Sequence, residues 1–224
     1  MVRGILIVGN ESSLFTATAA EATKRVESFA AALIPGRFPL PPQSEAPKTE
    51  IPAGAIPLAW NPASPISART TVLAAENRLE QINDAILICS PPAIFKNAEN
   101  LTPEEIETFV NDHIKGWFFL IRELTVYFRR AASGSLSLVV PEISTSGKHA
   151  QANLLGPSAA ASFRAFAQSL LALSAHEPFL LMGFTGVEAG AEEEFSAWLF
   201  KIIDEGSKRN SGRWQKYSKI PLFR

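Results

Sequence analysis

An α/β fold, built on a single doubly wound and mainly parallel sheet flanked by helices, is what this sequence predicts, and three observations predict it. Short apolar runs of strand length alternate with longer segments of helical period. The runs are continuous rather than alternating in polarity, as strands covered on both faces require. No charge run or Ser/Gly-rich linker divides the 224 residues, so residues 1–224 are expected to form one domain.

The first apolar run, "GILIVG" at 4–9, opens the sheet, and the segment 12–33 follows it with Phe15, Ala19, Ala22, Val26, Phe29 and Leu33 at helical steps. That spacing predicts one helix over 12–33. The next stretch, 34–53, holds six prolines and has no room for a full strand, helix and return, so the second strand/helix unit is expected to be shortened to an edge strand near 37–40. "AIPLAW" at 55–60 is the third run, followed by a helix over 64–82 that Ser64 caps and Pro65 opens. "AILICS" at 85–90 precedes a long helix over 102–130, which begins with Thr102, Pro103 and two glutamates and ends on Arg129 and Arg130. "SLSLVVP" at 135–141 leads to a helix rich in small residues over 152–174, and "PFLLMGF" at 178–184 to a helix over 192–210 that Gly206 stops. All five runs are expected to be inner strands, with a last strand near Trp214.

Composition narrows the function classes. With 21 basic and 22 acidic side chains the formal net charge is −1, so no overall field gathers nucleic acid or anionic lipid. A single cysteine, Cys89, leaves no disulfide framework and no cysteine metal site, which fits a reducing compartment, and no metal is expected. Cys89 itself reads as a small buried hydrophobe. The first apolar run is too short for a signal sequence or a membrane span, so a soluble cytoplasmic protein is expected, with neither nucleic acid nor membrane as partner.

The order of elements and several local phrases resemble the short-chain dehydrogenase/reductase family across nearly the whole chain. "LEQINDAILICSPP" is similar to the family's passage into its fourth strand, "HIKGWFFLIRE" to its fourth helix, "SFRAFAQSLLA" to its fifth, and "DEGSKRNSGRW" to its carboxy-terminal turn. The resemblance implies a Rossmann-like sheet and, usually, hydride transfer between NAD or NADP and a carbonyl or alcohol. It also implies glycines that let the backbone approach the cofactor's pyrophosphate at a helix N-terminus. In "VGNESSLF" Gly9 matches the first, but Ser13 and Phe15 stand where the others belong, and Glu11 adds negative charge. Asn61 matches only partly the aspartate that the family often has near the adenine, and Ile88, Cys89, Ser90 and Pro91 replace its Asn-Asn-Ala-Gly run.

Catalysis in the family rests on an asparagine, a serine, a tyrosine that passes a proton to the substrate oxygen, and a lysine that lowers the tyrosine's pKa. The matching positions here are His113, Pro141, Gly156 and Ala160. The chain's tyrosines, Tyr127 and Tyr217, lie far from the tyrosine position. No cofactor is therefore predicted, with NAD or NADP the cofactor if the site has been remodelled rather than lost.

A second cluster, "PEISTSGKHA", places Glu142, Ser144, Ser146, Lys148 and His149 on the carboxyl-end rim, where with His113 they could compose a Ser/His/Glu set; as a plain reading it is a polar surface loop. The fourth and fifth helices, 102–130 and 152–174, commonly form a dimer interface in the family. Here Ala159, Ala160, Ala161, Ala165 and Ala167 with Phe163 and Phe166 form a close-packing face. The expectation is a non-catalytic or oligomer-partner subunit, as a homodimer, a higher homo-oligomer, or a heteromer with an intact relative. The alternative is an NAD(P)-dependent oxidoreductase with a remodelled active site.

Overall fold

The computed structural model describes residues 3–26, 29–34, 54–142, 153–186 and 190–218. Among these residues seven strands form one sheet: β1 (Ile5–Gly9), β2 (Phe29–Leu33), β3 (Ala55–Leu58), β4 (Asp84–Ile88), β5 (Ser135–Val139), β6 (Leu180–Thr185) and β7 (Trp214–Lys216). Their order is β3-β2-β1-β4-β5-β6-β7, and every neighbouring pair is parallel. The predicted doubly wound sheet is what the chain forms.

Alternate strand residues feed two cores. Leu6, Val8, Ala85, Leu87, Leu136 and Leu138 pack under the helices α2 (Pro65–Leu79), α4 (Gly116–Ala131) and α5 (Leu155–Leu173). Ile5, Ile7, Ile86, Ile88 and Val139 face α1 (Ser13–Thr23) and α6 (Glu192–Glu205). This two-sided burial is why the runs are continuously apolar. Ser137 of β5 is one exception: it is fully buried, and its hydroxyl has no hydrogen-bond partner among the described residues. Replacing Ser137 by alanine is expected to raise stability by about 1 kcal/mol, because a buried unpaired hydroxyl costs more than it contributes. Denaturant titration checks this, and a lower midpoint would mean that the hydroxyl is bonded in solution.

The local signals for the helix starts hold. Ser12, Ser64 and Thr102 accept backbone N–H groups of Phe15, Ser67 and Glu105, and Thr102 with Glu105 completes a capping box at α3 (Pro103–Val110). Between α3 and α4 the helix widens into a π-turn, Asn111–Lys115, a device that often marks functional positions. The helix near the carboxy terminus stops at Gly206, which adopts φ 56°.

Two expectations fail. The helix expected over 12–33 ends at Thr23, and Phe29–Leu33 is strand β2, wedged between β1 and β3. Phe29 and Leu33 fit the helical stripe by spacing, but the polar interruption at Thr23, Lys24 and Arg25 ends the helix, and the open edge of β1 then recruits the Phe-Ala-Ala-Ala-Leu run despite its weak strand propensity. The edge strand expected near 37–40 lies outside the described residues. The second failure is β3, which among the described residues pairs only with β2 and is the sheet's edge rather than an inner strand. Pro57, which cannot donate to a ladder, suits that edge.

Candidate functional site at the carboxyl edge of the sheet

Between β1 and β4 the strand order reverses, so the crossovers leave in opposite directions, and it is above the carboxyl ends of strands at such a switch point that folds of this kind form their ligand crevice. Gly9 and Ile88 are register partners there. Around them stand the turn into α1, the π-turn and the first turn of α5.

The α1 turn is closed by its own side chains. Ser12 Oγ accepts the Phe15 N–H at 3.2 Å, which uses one of the donors that an anion at a helix N-terminus needs. Ser13 Oγ donates to Glu192 Oε1 at 3.0 Å, which brings a carboxylate to the same turn. The Phe15 ring is buried and lies so close to Gly9 that a Cβ there would stand 2.8 Å from Cδ2. A dinucleotide pyrophosphate held as the family holds it needs free N–H groups, an open cradle and no facing carboxylate. The residues present do not fit that group. Gly9 leaves room for the Phe15 ring, and Asn61 accepts the Ala63 N–H in an exposed turn while its own N–H is held by Ser67.

His113 sits in the π-turn, 3% exposed, with Asn10 Nδ2 donating to its Nδ1 at 3.2 Å and the Phe109 ring 4.6 Å away. Burial pushes its pKa down to about 4, so the ring is neutral at physiological pH. Asn10 and the buried carboxyl of Asp112 were not legible as site residues: Asn10 simply follows a strand, and nothing in "VNDHIKG" announces a π-turn.

At the tyrosine position, Gly156 faces the connection that leaves β4. A Cβ there would meet the Asn153 side chain at 3.0 Å and the Pro92 carbonyl at 3.1 Å. Ala160, at the lysine position, is part of the core under α5. Pro141 follows β5, and Glu142 is exposed and ion-paired with Lys216 at 3.0 Å. Ser144, Ser146, Lys148 and His149 lie outside the described residues. Of the hypothetical Ser/His/Glu set, the described members therefore have other partners: Glu142 in solvent, His113 in the interior. Burial also raises the pKa of Cys89, as expected for a core thiol.

Of the α5 face expected at an interface, Ala159, Ala160, Phe163 and Ala167 are buried within this chain, where the stripe lies against β6 and Phe163 meets Trp117 of α4 edge-on. Ala161 and Ala165 are exposed, and Phe166 stacks on Phe118 of α4 with ring centroids 4.4 Å apart. Among the described residues no helix is long and apolar enough to cross a membrane, and no group of His, Cys, Asp or Glu could hold a metal ion.

No family model matches the sequence, and no curated protein matches it. Solved structures do. An NADH-dependent reductase A1-R' complexed with NAD superposes with a TM-score of 0.72 at 12% identity, covering 96% of this chain and 95% of its own. A short-chain dehydrogenase from Mycobacterium smegmatis gives 0.72 at 10% identity, with 98% and 94% covered. A 3-ketoacyl-(acyl-carrier-protein) reductase from Brucella melitensis complexed with NADH gives 0.71 at 15% identity, with 96% of each chain covered. The fold is that of the short-chain dehydrogenases/reductases.

Proposed function

We propose that this chain is a member of the short-chain dehydrogenase/reductase family that does not carry out conventional hydride transfer and acts as a non-catalytic, oligomer-partner subunit. The observation that carries this reading is the α1 turn, where the Ser12 cap, the Phe15 ring and the Ser13–Glu192 contact take up the space, donors and charge that a pyrophosphate would use. Gly156 and Ala160 support it independently, since neither can move a proton. Association runs through α4 and α5, either as a homodimer or with an intact relative, and Ala161, Ala165 and the Phe118/Phe166 stack are the contact features.

Titration with nicotinamide dinucleotides tests the catalytic half. Light scattering at tens of micromolar tests the other: the homodimer version gives a mass about twice 24.3 kDa, and a strict monomer without added partner contradicts it.

One observation favours a second reading, an oxidoreductase with a remodelled site using NAD or NADP. The buried His113–Asn10 pair occupies a π-turn at the edge where such folds place their chemistry. Two of the similar structures, moreover, are complexed with NAD or NADH. In that reading a single-turnover assay with excess protein detects cofactor oxidation, and the His113→Asn variant changes its rate.

A further inference from the structure

The connection from β4 to α3 leaves the sheet at Cys89 and runs through two prolines, Pro91 and Pro92, the second with its carbonyl beside Gly156 in the first turn of α5. It is tied down at Ile94, Phe95 and Lys96. Near its middle, Phe95 forms an antiparallel bridge with Asn153. Asn153 Oδ1 accepts two backbone N–H groups, from Ile94 at 3.2 Å and from Gly156 at 3.3 Å. Beyond the bridge, Lys96 Nζ reaches Glu105 Oε1 at 2.5 Å, and Glu105 is itself fixed by the capping box with Thr102. One amide oxygen thus joins two chain segments that are far apart in sequence, at the position where a Cβ on Gly156 would press on the Pro92 carbonyl at 3.1 Å.

We infer that Asn153 clamps segment 91–96 across the first turn of α5 as a strap over the carboxyl-edge crevice, and that release of this clamp governs access to the crevice. The inference rests on the reading that α5 supplies no catalytic side chain, for a tyrosine at position 156 and the strap would compete for the same space. The prolines suit a strap: they fix φ and donate no N–H. Each N–H bond to Asn153 contributes modestly, so losing both shifts the local opening equilibrium without unfolding the sheet.

The test uses the full chain without any nucleotide, so its failure is separate from failure of the dinucleotide titration. Amide hydrogen exchange is followed in peptides covering 91–97 and 154–158, together with the rate at which a thiol reagent modifies Cys89, the chain's single cysteine, fully buried at the root of the strap. Asn153→Ala is expected to accelerate exchange at both segments and labelling of Cys89 by on the order of tenfold, while β1 and β6 amides keep their native rates. Asn153→Asp keeps two acceptor oxygens beside a helix N-terminus and is expected to behave as the native chain does. Three results would each overturn the inference: native rates at 91–97 in Asn153→Ala, equal acceleration of the strands, or Asn153→Asp as fast as Asn153→Ala.

Discussion

Between pH 6.5 and about 4 the native protein is expected to lose about 3 kcal/mol of stability through His113 alone. The sign follows from the two states. In the unfolded chain the imidazole takes up a proton as the pH falls through 6.5, whereas in the native structure burial holds it neutral until about 4. Acid therefore draws the equilibrium toward the unfolded state across that window, and the loss is complete once the native ring also protonates. The carboxylates add a separate contribution lower down. Glu105 beside Lys96 and Glu177 beside Arg129 are held below the usual carboxylate range, so what they contribute is lost as the pH falls through their lowered values. Replacing His113 with asparagine removes the titration and keeps a hydrogen-bonding partner for Asn10. Denaturant midpoints at several pH values between 4 and 7 are expected to fall steeply for the native chain and much less for His113→Asn. Parallel slopes would place the titration elsewhere.

Asp84→Ala is expected to cost about 3 kcal/mol, which for a chain of this size lowers Tm by roughly 6–12 °C. Asp84 stands at the amino edge of the sheet, opposite the crevice, and is almost wholly buried. Its Oδ2 accepts from Arg3 Nε at 2.6 Å and its Oδ1 from the Ser135 hydroxyl at 2.5 Å, so one carboxylate ties the starts of β1, β4 and β5 together. Arg3 extends the link to Asp204 of α6, which also holds Arg25 after α1. Removing Asp84 leaves the Ser135 hydroxyl buried and unpaired and strips Arg3 of its inner partner. Asp204→Ala, whose side chain is 38% exposed, is expected to cost well under half as much. Calorimetry on the two variants checks the ranking, and equal losses would contradict it.

Much of this architecture was legible in the sequence because it depends on periodicity. The runs at 4–9, 85–90, 135–141 and 178–184 became buried strands, since a two-sided core demands continuous apolar residues. The caps at Ser64 and Thr102 read correctly because they are local. β2 was missed because its identity is set by the neighbouring edge of β1 rather than by Phe29–Leu33 themselves. In the site, Ser13, Phe15, Gly156 and Ala160 could be set against the family's pattern once the resemblance supplied a register. What packs around them could not be read. The Phe15 ring on Gly9, the Glu192 contact and the Asn153 clamp each join segments distant in sequence, so no local pattern announces them. The π-turn was hidden for another reason: it changes the helix's winding without changing its polarity pattern.

As a non-catalytic subunit, the proposed function, this chain does not take a nicotinamide dinucleotide at the α1 turn. Calorimetric titration of the chain with NAD, NADH, NADP and NADPH in turn tests it most directly. No saturable heat for any of the four at millimolar ligand is the predicted result, and saturable one-to-one binding of any of them at micromolar affinity would contradict it.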